Sequence, residues 1–528
     1  MQSWFTFELD GRVHRVDRAD THETLAHHLR SIDPAFASFT GRDPHLGGDP
    51  VVIGDVEGDV PRFRVADANL LLLPMVAGRQ VWTPEGIRTT EPNHPVNLAL
   101  ARRRFECGPD RTDAITVLFF EGYYRPDLRR LGQLTEQFDG LVSRSAHTLA
   151  IRESAAKLFA GAEQIRHEAA QRAERSGQSK LVWTGRKDIH QDRFTRRLHR
   201  RRSPEELNYV DGTKRRFHRP LALAELLRLK REYPEAMLIA GGTSLAREAD
   251  RVEWPHLIST EGVEELNQIR TTEEAWEIGA AVSLTRVAET IGRECPPFSK
   301  IMRRFGSRAI RNRATLGGYL SRAWSSGQLA PLLLALGSRV LLLSDDGERD
   351  APLSQFYEEG ERTIIRPGEV IRGVIIPRAT EPVLAERGMT ARICDAYTTS
   401  ARRTLADPYV SGAFALEMRD DRVAKASIAY SGVSSKPERA REAEDFLAGK
   451  PWTEETLFDT LVPLNRCLPV RREGSDAVDR DYRQQLVITL FQKFFYQHPS
   501  PDQTKPLDLA ATREFARLQQ PFFHALDS

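Results

Sequence analysis

Two glycine pairs, each set close behind an ordered apolar or basic run, constrain this chain more than any other feature. The first lies in Leu238-Ile239-Ala240-Gly241-Gly242-Thr243-Ser244-Leu245. The second closes Arg304-Phe305-Gly306-Ser307-Arg308-Ala309-Ile310-Arg311-Asn312-Arg313-Ala314-Thr315-Leu316-Gly317-Gly318. A strand that ends in Gly-Gly can turn sharply and bring successive backbone N–H groups onto one concave side, with no Cβ in the way. Such a concavity suits an anion, a phosphate above all. The Thr243 hydroxyl adds a donor, and Thr315-Leu316-Gly317-Gly318 offers a second loop of the same kind. Arg308 and Arg311 are placed to brace that loop through bonds to backbone carbonyls. One strand–Gly–Gly–Thr turn is equally well explained as a tight structural turn; the pair at this spacing is more specific.

Around these turns the chain divides. Its 528 residues suit three or four domains. Alternation over 4–9 and 12–16 about Asp10-Gly11 predicts a hairpin with a type I′ turn. A helix over 21–29 follows, with Asp20 as N-cap and Glu23 completing a capping box. Residues 41–50 have loop composition, and 51–53 and 69–73 predict buried strands. From 93 to 173 the pattern is helical, with an apolar face over 114–120 and an amphipathic helix over 154–173. Residues 176–210 are polar and carry a basic run from Arg196 to Arg202, which predicts a solvated linker. From Phe217-His218-Arg219-Pro220 to Pro377 strands and helices alternate. Residues 391–497 begin as strands and end as helix. The domains expected are therefore 1–90, 91–173, 213–380 and 386–498, with a linker at 174–212 and a tail at 499–528.

Composition narrows the function classes. A net charge of +2 gives no global field for nucleic acid or a membrane surface. The longest apolar stretch, 329–343, is interrupted by Pro331, Gly337 and Arg339, so no membrane span is expected. The N-terminus lacks the basic and apolar regions of a signal peptide. Cys107, Cys295, Cys394 and Cys467 are far apart with no CxxC, which fits a reducing cytoplasm and no zinc site.

The two glycine turns, followed by Leu332-Leu333-Leu334-Ala335-Leu336-Gly337 and Arg366-Pro367-Gly368-Glu369, resemble the FAD-binding domain of the xanthine dehydrogenase small subunit and of molybdenum hydroxylases generally. Gly432-Val433-Ser434-Ser435-Lys436-Pro437-Glu438-Arg439-Ala440 resembles the C-terminal domain of the same flavoproteins. The resemblance implies an α+β multidomain fold: a degenerate β-grasp ferredoxin-like domain, a helical domain, a two-part α/β FAD-binding domain of the PCMH type and a C-terminal α+β domain. It implies FAD at Ala240, Gly241, Gly242, Thr243, Ser244, Leu245, Thr315, Gly317, Gly318, Tyr319, Gln328 and Ile371. It also implies a molybdopterin-binding large subunit as partner, an oligomeric assembly and no molybdenum cofactor in this chain.

The sequence departs from the family where chemistry matters. Tyr319 replaces the usual Asn, Trp324-Ser325 the usual Ser-Pro, Gln328 an acidic residue, and Ser244 the aspartate after Gly-Gly-Thr. The basic pair Arg402-Arg403 remains in a segment that lies near the flavin in relatives. The eight cysteines that hold two iron–sulfur clusters in relatives are absent but for Cys107. Residues 42–50 hold none, Asn69 stands at the fourth ligand of the first cluster, Asp110 follows Cys107-Gly108-Pro109, and Ser143-Arg144-Ser145 replaces Cys-x-Cys. A two-iron cluster needs four soft ligands in close array, so no cluster and no metal site is expected. His45, His94 and His147 show no ligand spacing. Two functions follow: a flavin-dependent oxidoreductase subunit without clusters, or a non-redox scaffold or regulatory partner of a molybdenum hydroxylase large subunit. Tyr319 and Trp324 either stack on the cofactor or fill its place.

Overall fold

The structure is a computed structural model that describes residues 1–33, 48–57, 60–101, 109–125, 127–128, 131–138, 147–175, 192–198, 204–249, 251–386, 388–402, 405–468, 470 and 477–499. The segments 41–47, Cys107-Gly108, Ser143-Arg144-Ser145, Arg403 and the tail beyond 499 lie outside the described residues.

Alternation at the N-terminus builds the expected hairpin. Strands β1 (Trp4–Leu9) and β2 (Arg12–Asp17) pair antiparallel, and the turn takes φ +49° at Asp10 and +80° at Gly11, the left-handed pair that a type I′ turn requires. Three further strands, β3 (Pro50–Glu57), β4 (Val60–Asp67) and β5 (Gln80–Trp82), complete a sheet of order β2-β1-β5-β3-β4. The following helix covers Leu25–Ile32, four residues later than expected. Its cap is Thr24, because the Asp20 carboxylate is already taken by the His22 N–H at 2.8 Å and by Arg215 at 2.6 Å. Residues 69–73 are not a strand. They fall in short 3₁₀ turns, Ala68–Leu70 and Leu73–Val76, because Asp67 caps the Asn69 N–H and Pro74 cannot join a ladder.

The segment read as a linker is partly ordered. It holds the helix Arg193–Leu198 and strand β6 (Leu207–Val210). Phe194 is buried between Trp82 and Phe120, at ring separations of 4.7 and 4.8 Å. Within the basic run, Arg197 pairs with Glu8 at 3.0 Å. An apolar anchor and an ion pair thus tie down a stretch whose polar composition suggested solvation.

Strands β7 (Arg216–Arg219), β8 (Met237–Ile239) and β9 (His256–Ser259) join β6 in a sheet of order β6-β7-β9-β8, with β7, β9 and β8 mutually parallel. A second, antiparallel sheet holds β10 (Ile269–Thr271), β11 (Ala275–Gly279), β12 (Arg339–Ser344), β13 (Gly347–Pro352) and β16 (Val370–Pro377), in the order β10-β11-β16-β12-β13. Between them in sequence, β14 (Tyr357–Glu358) and β15 (Arg362–Thr363) form a small hairpin. The C-terminal sheet comprises β17 (Ala391–Ser400), β18 (Pro408–Arg419), β19 (Arg422–Ser431) and β20 (Glu438–Arg439), backed by the helices Glu454–Cys467 and Ala477–Gln497. Among the described residues no helix is long and apolar enough to cross a membrane.

The N-terminal sheet and the parallel sheet share one core. Phe5 and Phe7 pack in the same buried cluster as Tyr209, Phe217, Ile239 and Leu257, and the Phe5 and Tyr209 rings meet edge-on at 5.1 Å. Full burial of each such side chain contributes roughly 1.5–3 kcal/mol. A polar seam adds direction to this contact. The helix Arg308–Arg313 lies against β4 and the helix Pro109–Tyr124. Asn312 donates to the Val65 carbonyl at 2.9 Å and to Glu121 at 3.0 Å, and accepts from Thr285 at 2.8 Å. Arg308 donates to the same Glu121 carboxylate at 2.9 Å and to Glu289 at 3.1 Å. Arg308 therefore crosses to the N-terminal half, and the bonds of Arg311 to the Phe305 and Gly306 carbonyls, at 2.8 and 2.9 Å, brace the turn before its own helix and not the Thr315–Gly318 loop that both arginines were expected to position.

Glu121 is 1% exposed. Glu121→Ala should leave the Arg308 and Asn312 donors without this acceptor and destabilise the protein by about 3–5 kcal/mol, read as a lower midpoint in denaturant unfolding. A loss below about 0.5 kcal/mol, the size of an ordinary surface change, would mean that this seam does not join the two halves.

Candidate functional site

The carboxyl ends of parallel strands are where open α/β sheets bind ligands, because the turns there present backbone donors to a crevice. Here that edge collects Arg219 at the end of β7, Glu261 just past β9, and the Gly241-Gly242 turn just past β8. Gly242 has φ +77°, a conformation that glycine adopts without cost. A Cβ on Gly241 would overlap the Arg313 carbonyl, and one on Gly242 would sit 3.0 Å from Met75 Sδ and 3.3 Å from the Leu70 carbonyl. The turn is thus pressed between the backbone that precedes Thr315 and the N-terminal domain.

Among the described residues, no protein acceptor pairs with the N–H groups of Gly241, Gly242, Thr243 or Ser244. Thr243 and Ser244 are half-buried, and Ser244 has helical dihedrals as it enters the 3₁₀ turn Leu245–Arg247. Ala246 N–H closes back on the Gly242 carbonyl at 2.9 Å. Consecutive N–H groups without protein partners, on a turn with no room for side chains, fit a phosphate-bearing cofactor. Ala240 is half-buried at the strand end, and Leu245 packs on the core shared with the N-terminal domain.

The second turn is built differently from the first. Leu316 N–H donates to the Val282 carbonyl at 3.1 Å and Gly317 N–H to the Ala280 carbonyl at 2.9 Å. The Thr315 hydroxyl accepts from Gly318 N–H at 3.1 Å, capping the helix Leu316–Ser321. The expected second cradle therefore has its N–H groups engaged by protein. Gly317 is needed for contact, since a Cβ there would lie 2.6 Å from that of Ala280. The two turns meet through the Arg313 carbonyl and Ala314, so the first rests on the second.

The remaining candidates surround this junction. Tyr319 is held by protein: its hydroxyl accepts from the N–H groups of Leu329 and Ala330, each at 3.0 Å, at the start of the helix Ala330–Ala335. Its ring lies edge-on to Phe305 at 5.7 Å, and burial raises the phenol above its ordinary value. Gln328 is buried and donates weakly to the Arg304 carbonyl at 3.4 Å. Ile371 is a core residue of β16 paired with Leu342. Trp324, by contrast, is 40% exposed. The C-terminal domain holds the 325–327 loop, since Gly432 N–H donates to the Ser325 carbonyl at 2.8 Å and the Ser431 hydroxyl to that of Gly327 at 2.9 Å.

Sequence reasoning passed over Arg79, Glu261 and Arg313. Glu261 pairs with both guanidinium groups, at 3.3 Å from Arg79, and Arg79 also pairs with Asp55 at 3.0 Å. The available signal was Arg313, one residue before Ala314-Thr315; its partners lie far away in sequence.

Residues 212–379 match the FAD binding domain in molybdopterin dehydrogenase, and residues 395–498 match the CO dehydrogenase flavoprotein C-terminal domain. The chain is homologous to xanthine dehydrogenases and to CO dehydrogenase flavoprotein subunits. Xanthine dehydrogenase of Emericella nidulans is 24% identical over 549 residues, covering 95% of this chain and 39% of that protein. Xanthine dehydrogenase 1 of Arabidopsis thaliana is 28% identical over 53% of this chain and 21% of its own length. The chain thus spans about two-fifths or less of these curated relatives. Among solved structures, quinoline 2-oxidoreductase from Pseudomonas putida 86 is 28% identical and covers 53% of this chain and 95% of its own, with a TM-score of 0.47.

Two substitutions test the packing of the site. Gly241→Ala must displace the Arg313 carbonyl and should destabilise the fold by about 1–3 kcal/mol. Tyr319→Phe removes the acceptor of two buried N–H groups and should cost about 1–3 kcal/mol. Both are read from unfolding midpoints, and unchanged values would show that the site is looser than its contacts indicate.

Proposed function

We propose that this chain is the FAD-binding oxidoreductase subunit of a molybdenum hydroxylase-like assembly, with a molybdopterin-containing partner, and that it holds neither iron–sulfur cluster of the family. The observation that carries the flavin reading is the run of unpartnered N–H groups from Gly241 to Ser244 at the carboxyl end of β8, within a segment matching an FAD-binding domain. Ala240, Gly241, Gly242, Thr243, Ser244 and Leu245 form the diphosphate turn. Thr315, Gly317 and Gly318 brace it from behind, and Tyr319, Gln328 and Ile371 fix the walls. A bound flavin supplies one- and two-electron transfer, while the chain binds and orients it. The N-terminal sheet, whose last strand lies parallel to its first in the middle of the order β2-β1-β5-β3-β4, supports a β-grasp domain of ferredoxin type.

The cluster-free reading rests on what surrounds Asn69. Its amide donates to Asp49 at 3.2 Å and to Asp67 at 3.1 Å, and its carbonyl oxygen accepts from Arg30 at 3.2 Å. Arg30 also pairs with the Asp49 carboxylate. A guanidinium, an amide and two carboxylates form a self-paired network where relatives place a metal ligand. A second reading, a non-redox scaffold for the molybdenum subunit, is favoured by one specific observation: the Tyr319 hydroxyl is committed to the Ala330–Ala335 helix.

A visible spectrum of the purified protein separates the two readings. Flavin bands, or their appearance on adding FAD, are expected; a colourless protein that takes up no FAD supports the scaffold. Two-iron absorbance or a spin-resonance signal on reduction would overturn the cluster-free assignment.

A further inference from the structure

The inference rests on the flavin reading above and concerns a residue outside the flavin domain. The carboxyl edge of the parallel sheet is covered by N-terminal residues 73–79. Arg219, 1% exposed at the end of β7, donates to the carbonyls of Met75 at 3.2 Å and Ala77 at 2.7 Å, and to that of Glu205 at 2.8 Å. Met75 abuts Gly242. One step further along, Arg79 reaches Glu261 from the N-terminal side while Arg313 reaches it from the side of the glycine turns. The side chains of Glu261 and Arg313 are each 10% exposed and that of Arg79 is 6% exposed. Arg313 Nε has no acceptor among the described residues, and burial pulls its guanidinium below the ordinary value despite Glu261. Arg79 also pairs with Asp55 at 3.0 Å, so it ties β3 and the 73–79 segment to the same Glu261 that holds Arg313, the residue whose carbonyl supports Gly241.

We propose that Arg79 is a positioning residue for the flavin diphosphate: by pairing across the sheet edge with Glu261, the partner of Arg313, it fixes the backbone against the Gly241 turn and so couples diphosphate binding to docking of residues 73–79 on that edge. Without Arg79, Asp55 and Glu261 lose the cation between them, and the sheet edge loses its charged tie to residues 73–79. Coupling of this kind is reciprocal. FAD must hold the N-terminal segment in place to the same degree that the segment favours FAD.

The test compares the full-length wild type with Arg79→Gln and Arg79→Lys. FAD affinity is measured by flavin fluorescence titration, and each FAD-free variant's unfolding midpoint is measured alongside. Arg79→Gln should bind FAD about tenfold more weakly, and Arg79→Lys, which keeps the charge, should recover most of that loss. A folded Arg79→Gln protein with wild-type FAD affinity overturns the proposal. In the wild type, FAD should slow amide hydrogen exchange across residues 73–79; unchanged exchange in FAD-saturated protein also overturns it, whether or not the variants fold. Failure of the wild type to take up FAD removes the underlying flavin reading, a result distinct from normal uptake that is indifferent to Arg79.

Discussion

The Glu121 carboxylate is the point on which the two halves of this molecule turn. It is buried, and its Oε1 receives both the Arg308 guanidinium and the Asn312 amide from the helix that precedes the second glycine turn. Asn312 reaches on to the Val65 carbonyl, so a six-residue helix is bonded to two N-terminal elements. Because that helix ends at Arg313, whose carbonyl supports Gly241, the placement of the N-terminal half reaches the Gly241-Gly242 turn through a short path. Buried pairs of this kind are costly to break, which is why the seam sets a single docking geometry where the shared apolar core alone would tolerate sliding.

This arrangement recasts the N-terminal half. Phe5, Phe7, Tyr209 and Phe217 belong to one buried cluster, so the first sheet is part of the wall of the flavin domain. Its polar network of Arg30, Asp49, Asp67 and Asn69 supplies local cohesion of its own. A domain with such internal and external support has a reason to persist whether or not metal is bound.

Much of the architecture was legible from local rules. The Asp10-Gly11 hairpin, the strand before Gly241 and the long helices follow from alternation, turn chemistry and helical periodicity. Three of the misreadings share one cause. Asp20 looked like a helix cap, but its carboxylate pairs with Arg215, 195 residues away, as well as with the neighbouring His22 N–H. Residues 193–198 looked like solvated linker, but Phe194 found Trp82 and Phe120 more than seventy residues away. Arg308 looked like a local brace and instead crosses to Glu121. In each case a residue's partner lay beyond any window in which sequence pattern operates.

By itself the sequence determined where the backbone could turn tightly, since glycine takes the conformation at Gly242 without cost and leaves room for the contact at Gly241, and it determined the apolar periodicities that become sheets and helices. Tertiary structure alone decided what those turns face. The first keeps its N–H groups unpartnered among the described residues because it ends a parallel strand at the sheet edge, while the similar-looking second has them bonded to Ala280 and Val282. Two turns of like composition thus differ in chemistry, because hydrogen-bond partners are assigned by spatial neighbours and not by neighbours in the chain.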